Sequence, residues 1–539
     1  MWLARVTDVD VASAAQDVDS RTETMSRGLE LVSLQVLEDR MPGNEQKWQA
    51  ARLIPVTGIT GADEQERRGT SVLLAVLGSV REFGRAVTAL MDAPAGKIET
   101  FVEVEFPLGD GKVRPDGLIQ VRRGNRTWSA LVEVKTGRNG LQVPQVECYL
   151  DVARENGFDA VITISTELPD TPGGHPLTVD KRKLKKVSLH HLSWSEIHTE
   201  AIIEKVNNAI SDPVQAWILA ELIRYLEEPK SGALEFEDMG ASWVSVREAV
   251  ASNTLRPTDK GALEVAGRFA QLVSFAAMHL SQRLGVEVRP AVTRRDRDQA
   301  AAHWQAQAAA LASAGRLSGA LIVPHAIAPI VLEADLKASR IACSVSVPAP
   351  RSAHALTRIN WLLRQIKDAP HDLLIQAIPL HARTAGPSRR IGNVQEKPLV
   401  LVANSKVDIR EFIITLNRPA GTKRGRGRGS FIESALDLVE AFYTSVVQPL
   451  KPIVQPAPKV KAAPAEESES DTTSGARAVM PEASTIVQDA GQQGDDASSR
   501  QDWNEGPALL TAAGTTSQSD SGASKTPPTT WPLGSSTPV

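Results

Sequence analysis

Apolar residues recur three and four apart at Val72, Leu73, Val76, Leu77, Val80 and Phe83, which predicts a helix ending near Met91, before Pro94 and Gly96. Asp63 followed by Glu66 reads as its N-cap and reciprocal partner. The period then drops to two. From Ile98 to Phe106 apolar residues alternate with Glu99, Glu103 and Glu105, as in a strand, and Gly109-Asp110-Gly111 supplies a turn. A second strand is expected from Val113 to Val121, turning at Arg123-Gly124-Asn125, and a third from Thr127 to Thr136. Pro144 opens the next helix and Asn156-Gly157 closes it. Short strands follow at Ala160 to Ser165 and, after the basic loop Lys181 to Lys186, at Val187 to Leu192. Ser193 with Glu196 forms a second capping box.

A second unit extends to about Leu450. Asp212-Pro213 opens a helix ending near Glu228, and a long amphipathic helix spans Ala262 to Leu284. Strands are expected at Ile330 to Leu336, Ile341 to Val347, Leu373 to Ile378 and Leu399 to Val402, with a helix around Trp361, Leu362 and Ile366. Ser430 and Glu433 cap a last helix, Phe431 to Val447. The expected organisation is a weakly patterned arm (1–50), an α/β domain (51–205), an α+β accessory domain (206–450), and a tail (451–539) entered through a Pro- and Lys-containing linker. The tail is rich in Ser, Thr, Pro and acids and poor in large apolar side chains, so it is expected to be disordered.

Composition narrows the classes. At 42% hydrophobic and 23% charged, the 539 residues are ordinary for globular proteins. The formal net charge of −4 conceals an acidic tail, so the remainder is mildly basic and suited to a polyanion. Two distant cysteines, Cys148 and Cys343, exclude a disulfide framework and a Cys-based zinc site. With no signal-peptide pattern and no run of eighteen apolar residues, the expectation is a cytoplasmic protein without a membrane span.

The chemistry-bearing residues lie on the meander. Arg114-Pro115-Asp116-Gly117 starts the second strand and Glu133-Val134-Lys135 ends the third. Alternation puts Glu133 and Lys135 on one face with Val134 pointing into the core, and a short hairpin brings Asp116 beside them. Asp116, Glu133 and the Val134 carbonyl are hard oxygen donors suited to Mg²⁺ or Mn²⁺, and Lys135 can orient a water or offset transition-state charge. Each residue also has a plainer reading. Glu66 is explained by capping, Asp116 by a turn, Glu133 and Lys135 by a cross-strand ion pair, and Gln145 with Tyr149 by local packing one helical turn apart.

These residues resemble the PD-(D/E)xK superfamily of restriction-endonuclease-like nucleases over about Glu66 to Ser165, with Pro115-Asp116 and Glu133-Val134-Lys135 as the signature halves. Glu66 matches the first-helix Glu of many members, and Gln145 and Tyr149 match the Gln-Tyr pair of relatives resembling the RecB nuclease domain. The resemblance implies a mixed sheet flanked by helices, a Mg²⁺ or Mn²⁺ cofactor, DNA as substrate, and catalytic roles for Asp116, Glu133, Lys135, Gln145 and Tyr149, with Asp116, Glu133, Val134 and Glu66 at the metal. The rival is a non-catalytic module on the same fold, binding nucleic acid or protein in a stress, repair or phage-defence assembly.

Two basic stretches are candidate phosphate contacts. Lys183 and Lys185 lie in the loop Lys181 to Lys186, while Lys423, Arg424, Arg426 and Arg428 precede a capped helix in a Gly-rich run that lacks a Walker ending. A protein partner on 206–450 or the tail is also expected. His190, His191 and His198 lack a fourth ligand nearby and read as surface or packing histidines. Arg358, Arg364 and Lys367 form a helix's polar side.

Overall fold

The computed structural model describes residues 52–451 except 57, 110, 172, 208–209, 234–235, 294, 297–298, 352–353, 381–385 and 403–407. The expected arm, the tail with most of its linker, and Asp110 therefore lie outside the described residues.

The first expected helix is two. α1 (Ala62–Ser79) and α2 (Arg81–Ala89) meet at Val80, whose backbone is extended. Gly84 permits the bend, since a Cβ there would lie 2.2 Å from the Leu77 carbonyl oxygen. The N-cap is Gly61 rather than Asp63, which instead sits inside the first turn, where its charge complements the helix dipole. Glu66 is thus not a capping residue.

β1 (Lys97–Val102) ends where Glu103 takes φ +51°, and β2 (Phe106–Leu108) pairs with β3 (Gly111–Val113) in a separate hairpin. β4 (Gly117–Arg123) begins only after Pro115, so both long strands expected here are broken. Pro115 offers no N–H to a ladder, which ends pairing where Asp116 needs to turn inward. β5 (Arg126–Val134), α3 (Val143–Glu155), β6 (Ala160–Ser165), β7 (Ser188–Ser193), α4 (Trp194–Val206) and α5 (Pro213–Leu226) follow close to expectation, with the Ser193–Glu196 capping box formed. The five-stranded sheet has the order β1-β4-β5-β6-β7, antiparallel from β1 to β5 and parallel from β5 to β7.

Beyond it come α6 (Trp243–Ala251), α7 (Lys260–Leu284), β8 (Arg289–Pro290), α8 (Ala300–Ala314), β9 (Arg316–Ile322), β10 (Ile330–Asp335) and β11 (Arg340–Pro348). α9 (Ala355–Gln365), β12 (Leu374–Pro379), β13 (Arg389–Arg390), α10 (Ile391–Glu396), β14 (Ile409–Pro419) and α11 (Phe431–Phe442) complete it. The seven-stranded antiparallel sheet is ordered β13-β12-β14-β11-β10-β9-β8. The fold is therefore mixed α/β, with one mixed and one antiparallel sheet and flanking helices.

Several expectations change. The strand at Leu399 to Val402 is a 3₁₀ turn (Pro398–Leu401), and the central strand β14 takes the position between β12 and β11. Arg358 is not on a solvated face. It is 5% exposed and donates to the carbonyls of Ile409 and Arg351, so an arginine satisfies buried backbone there. Leu219, Leu222, Tyr225 and Leu226 of α5 pack with Leu73, Leu77 and Trp194, so the first core extends past the expected boundary at 205. The second core, from Phe236 to Leu450, packs α7 and α11 on the larger sheet and also takes in Leu168 of the loop after β6. No described helix is long and apolar enough to cross a membrane, and both cysteines are free.

Candidate active site

The site grows out of strand register. Leu118 of β4 faces Leu131 of β5, which faces Val161 of β6, and all three join the core against Val146, Tyr149 and Leu150 of α3. One rung further along the same face, apolar gives way to polar: Glu133 faces Thr163, and Thr163 faces His191 of β7. Asp116, two residues before Leu118, occupies the matching place beside β5. There the Val134 N–H donates to its Oδ2 at 2.8 Å.

Lys135 Nζ lies 2.8 Å from Glu133 Oε1 and 3.2 Å from Glu66 Oε2. The Asn139 amide donates to the other Glu66 oxygen at 2.7 Å. On α3, Gln145 Nε2 donates to the Tyr149 hydroxyl at 3.0 Å. The structure thus brings together Asp116, Glu133 and Lys135, adds Glu66 through Lys135, and places the Gln145–Tyr149 pair over the same face. Both oxygens of Glu66 are engaged, one by Lys135 and one by Asn139.

Electrostatics mark the carboxylates. Burial, then the neighbouring Asp116, pushes Glu133 up to about 7. Burial also raises Asp116, although the Val134 N–H and Lys135 oppose this. Glu133 is 1% exposed, and neither carboxylate oxygen accepts a well-formed hydrogen bond, the approach of Lys135 being a charge contact. Burial alone would lower Lys135, but Glu133 and Glu66 outweigh it and hold the ammonium charged. Burial and Glu133 raise Tyr149, which stays a protonated hydroxyl.

Sequence reasoning overlooked the residues that brace this site. Trp194 at the start of α4 donates its indole N–H to the Lys135 carbonyl at 2.9 Å. A directed chain of hydrogen bonds holds the loop after β6: Leu177 N–H to His175 Nδ1, His175 Nε2 to Thr163 Oγ1, Thr163 to His191 Nδ1, and His191 Nε2 to the Glu167 carbonyl. This order follows from the carbonyl, which only accepts, and the amide, which only donates. Burial drives His191 down to about 4, so it is the neutral ring the chain needs. His191 and His198 are both buried. Only period-2 alternation hinted that Thr163 and His191 share a face with Glu133.

The basic candidates sit elsewhere and are partly spent. Lys183 pairs with Asp151 and donates to the Glu147 carbonyl, while Lys185 is exposed. Arg424 pairs with Asp238 at 2.8 Å and Arg426 with Glu433 at 2.6 Å. The loop carrying them is docked, since Met239 N–H donates to the Arg424 carbonyl, and Arg247 to that of Thr422. Lys423 and Arg428 are exposed and complete the run.

Among the described residues no group of three or more His, Cys, Asp or Glu side chains is arranged to hold a metal. Two carboxylates are present, Asp116 and Glu133, and Mg²⁺ commonly takes one or two, with waters and phosphate completing its shell. No family model, no curated protein and no solved structure matches the chain.

Proposed function

We propose that the protein is a metal-dependent nuclease that hydrolyses DNA phosphodiester bonds at Asp116, Glu133 and Lys135. The observation that carries this reading is a pair of adjacent carboxylates, Glu133 buried and Asp116 half-buried, facing one charged lysine at the polar end of the sheet. The two neighbouring carboxylates repel each other where burial weakens solvent screening, and the one lysine is shared with Glu66, so they favour a cation between them. The order helix, β1, β4, β5, α3, β6 supports the restriction-endonuclease-like comparison.

Asp116 and Glu133, with the Val134 carbonyl, would hold Mg²⁺ or Mn²⁺. Bound there, the cation would supply Lewis-acid polarisation of the phosphoryl group and a more acidic water. The chain's own part is positional. The Val134 amide fixes the Asp116 carboxylate, Glu66 and Glu133 fix the Lys135 ammonium, and Asn139 fixes Glu66. Lys135 then sets a positive charge against the phosphate oxygens, where charge grows during hydrolysis. Gln145 and Tyr149 present donors over the same face, the tyrosine remaining protonated.

The test incubates the full chain, Asp116→Ala and Lys135→Ala with linear, circular and single-stranded DNA in Mg²⁺, Mn²⁺ or EDTA. Metal-dependent cleavage lost in both variants is the expected result. Folded wild-type protein that binds DNA without cutting it in any metal would favour the non-catalytic module.

A further inference from the structure

Behind the candidate site lies a cavity of about 440 Å³, walled by the start of α4, the connector after α5, and the start of α11. Its charge is one-sided. Glu227, Glu228, Glu237 and Glu433 line it against a single arginine, Arg426. Two of the four are neutralised, Glu228 by Arg52 at 2.9 Å and Glu433 by Arg426. Glu227 and Glu237 have no lysine or arginine beside them among the described residues.

The second observation is independent of that charge. His198 on α4 is 8% exposed, lines the cavity, and its buried Nε2 has no hydrogen-bond partner, the nearest charge being Glu227 Oε1 at 3.6 Å. An orphaned ring nitrogen in a buried position costs stability unless something meets it. With its proton on Nδ1, Nε2 accepts a hydrogen bond, and Glu227 accepts on the same side.

We propose that this cavity binds a small organic cation of the guanidinium class. A bare metal ion is a poor fit, because Glu228 and Glu433 are already paired with arginines and only one carboxylate, Glu227, stands beside the His198 ring. A guanidinium is a good one. Its planar fork of five N–H donors can serve the Glu227 carboxylate and His198 Nε2 together, which a compact ammonium does less completely. Leu226, Pro229 and Ala233 give an alkyl stem an apolar wall. The volume suits a ligand of that size. This binding function is separate from the nuclease reading and stands without it.

The experiment is calorimetric titration of the full chain with agmatine at low salt, with the same titration of Glu227→Gln, Glu237→Gln and Glu200→Gln. Glu227 is half exposed in its side chain, so its variant should fold, and melting curves check this. Glu200 serves as a control because it lines a different acidic cavity, with Ile203 and Met278. The expected result is one saturable site, weakened at least tenfold by Glu227→Gln, weakened less by Glu237→Gln, and unchanged by Glu200→Gln. The His198 ring resonances should shift as agmatine is added. Absence of saturable binding, equal binding by Glu227→Gln, or loss only in Glu200→Gln would each overturn the proposal.

Discussion

Trp194 donates its indole N–H to the carbonyl of Lys135 at 2.9 Å, so the residue that opens α4 is tied to the backbone of the candidate catalytic lysine. Trp194 is 1% exposed and packs among the residues of the first core. Trp194→Phe should remove that donor and leave a small void, costing about 2–4 kcal/mol of stability. If the hydrogen bond positions Lys135, the variant, assayed well below its melting temperature, should also cleave more slowly with DNA affinity unchanged. Unaltered turnover in the folded variant would confine Trp194 to a packing role.

Glu133 should be a residue held for function at the expense of stability. Beside Asp116 and Glu66, a single lysine offsets three carboxylates, and burial raises both Asp116 and Glu133. Glu133→Gln should therefore abolish cleavage yet raise the denaturation midpoint in EDTA at pH 8, corresponding to about 1–2 kcal/mol of added stability. A lower midpoint would mean that the Glu133–Lys135 pair outweighs the repulsion.

Metal uptake offers a check that does not need turnover. Calorimetry with Mn²⁺ should show binding to the wild-type chain that Asp116→Ala removes and Glu66→Gln only weakens, because both Glu66 oxygens are already engaged. Equal loss in the two variants would make Glu66 a ligand.

The Gly-rich loop should contribute to DNA binding through its outer bases. Arg424 and Arg426 are paired with Asp238 and Glu433, whereas Lys423 and Arg428 are exposed. Lys423→Glu with Arg428→Glu should weaken DNA binding and lower the slope of log affinity against log salt by about two. Arg424→Glu should instead lower the melting temperature, by breaking the loop's anchorage. A salt slope untouched by the double variant would remove this loop from the nucleic-acid surface.

Acid should weaken the fold through His191. Its ring is held near 4 by burial, below the ordinary 6.5, so the unfolded chain binds the proton more readily than the folded one. The stabilisation is present above about 6.5 and is lost as pH falls toward 4. Between pH 7 and pH 5 the loss is about 2 kcal/mol from this group. Denaturant midpoints at the two pH values should show it, and His191→Gln should flatten the dependence. His175, also lowered by burial, acts in the same direction.

What the sequence determined by itself is what short-range chemistry encodes. The capping box at Ser193 and Glu196, the proline-led starts of α3 and α5, and the alternation that puts Glu133 and Lys135 on one side of β5 all follow from neighbours a few residues apart. Asp116 beside Glu133 was legible too, because a short hairpin fixes register. The tertiary structure decided the rest. Asp63 and Glu66 carry the spacing of a capping box, yet the helix is capped at Gly61 and Glu66 turns to Lys135, 69 residues away. Ala160 to Ser165 reads only as a buried strand until its parallel pairing sets Thr163 between Glu133 and His191. Trp194 and Arg358 look like ordinary core and surface residues, and only the approach of distant carbonyls gives their N–H groups partners. Local propensity is carried by adjacent residues, whereas burial and long-range pairing exist only once the chain has closed on itself.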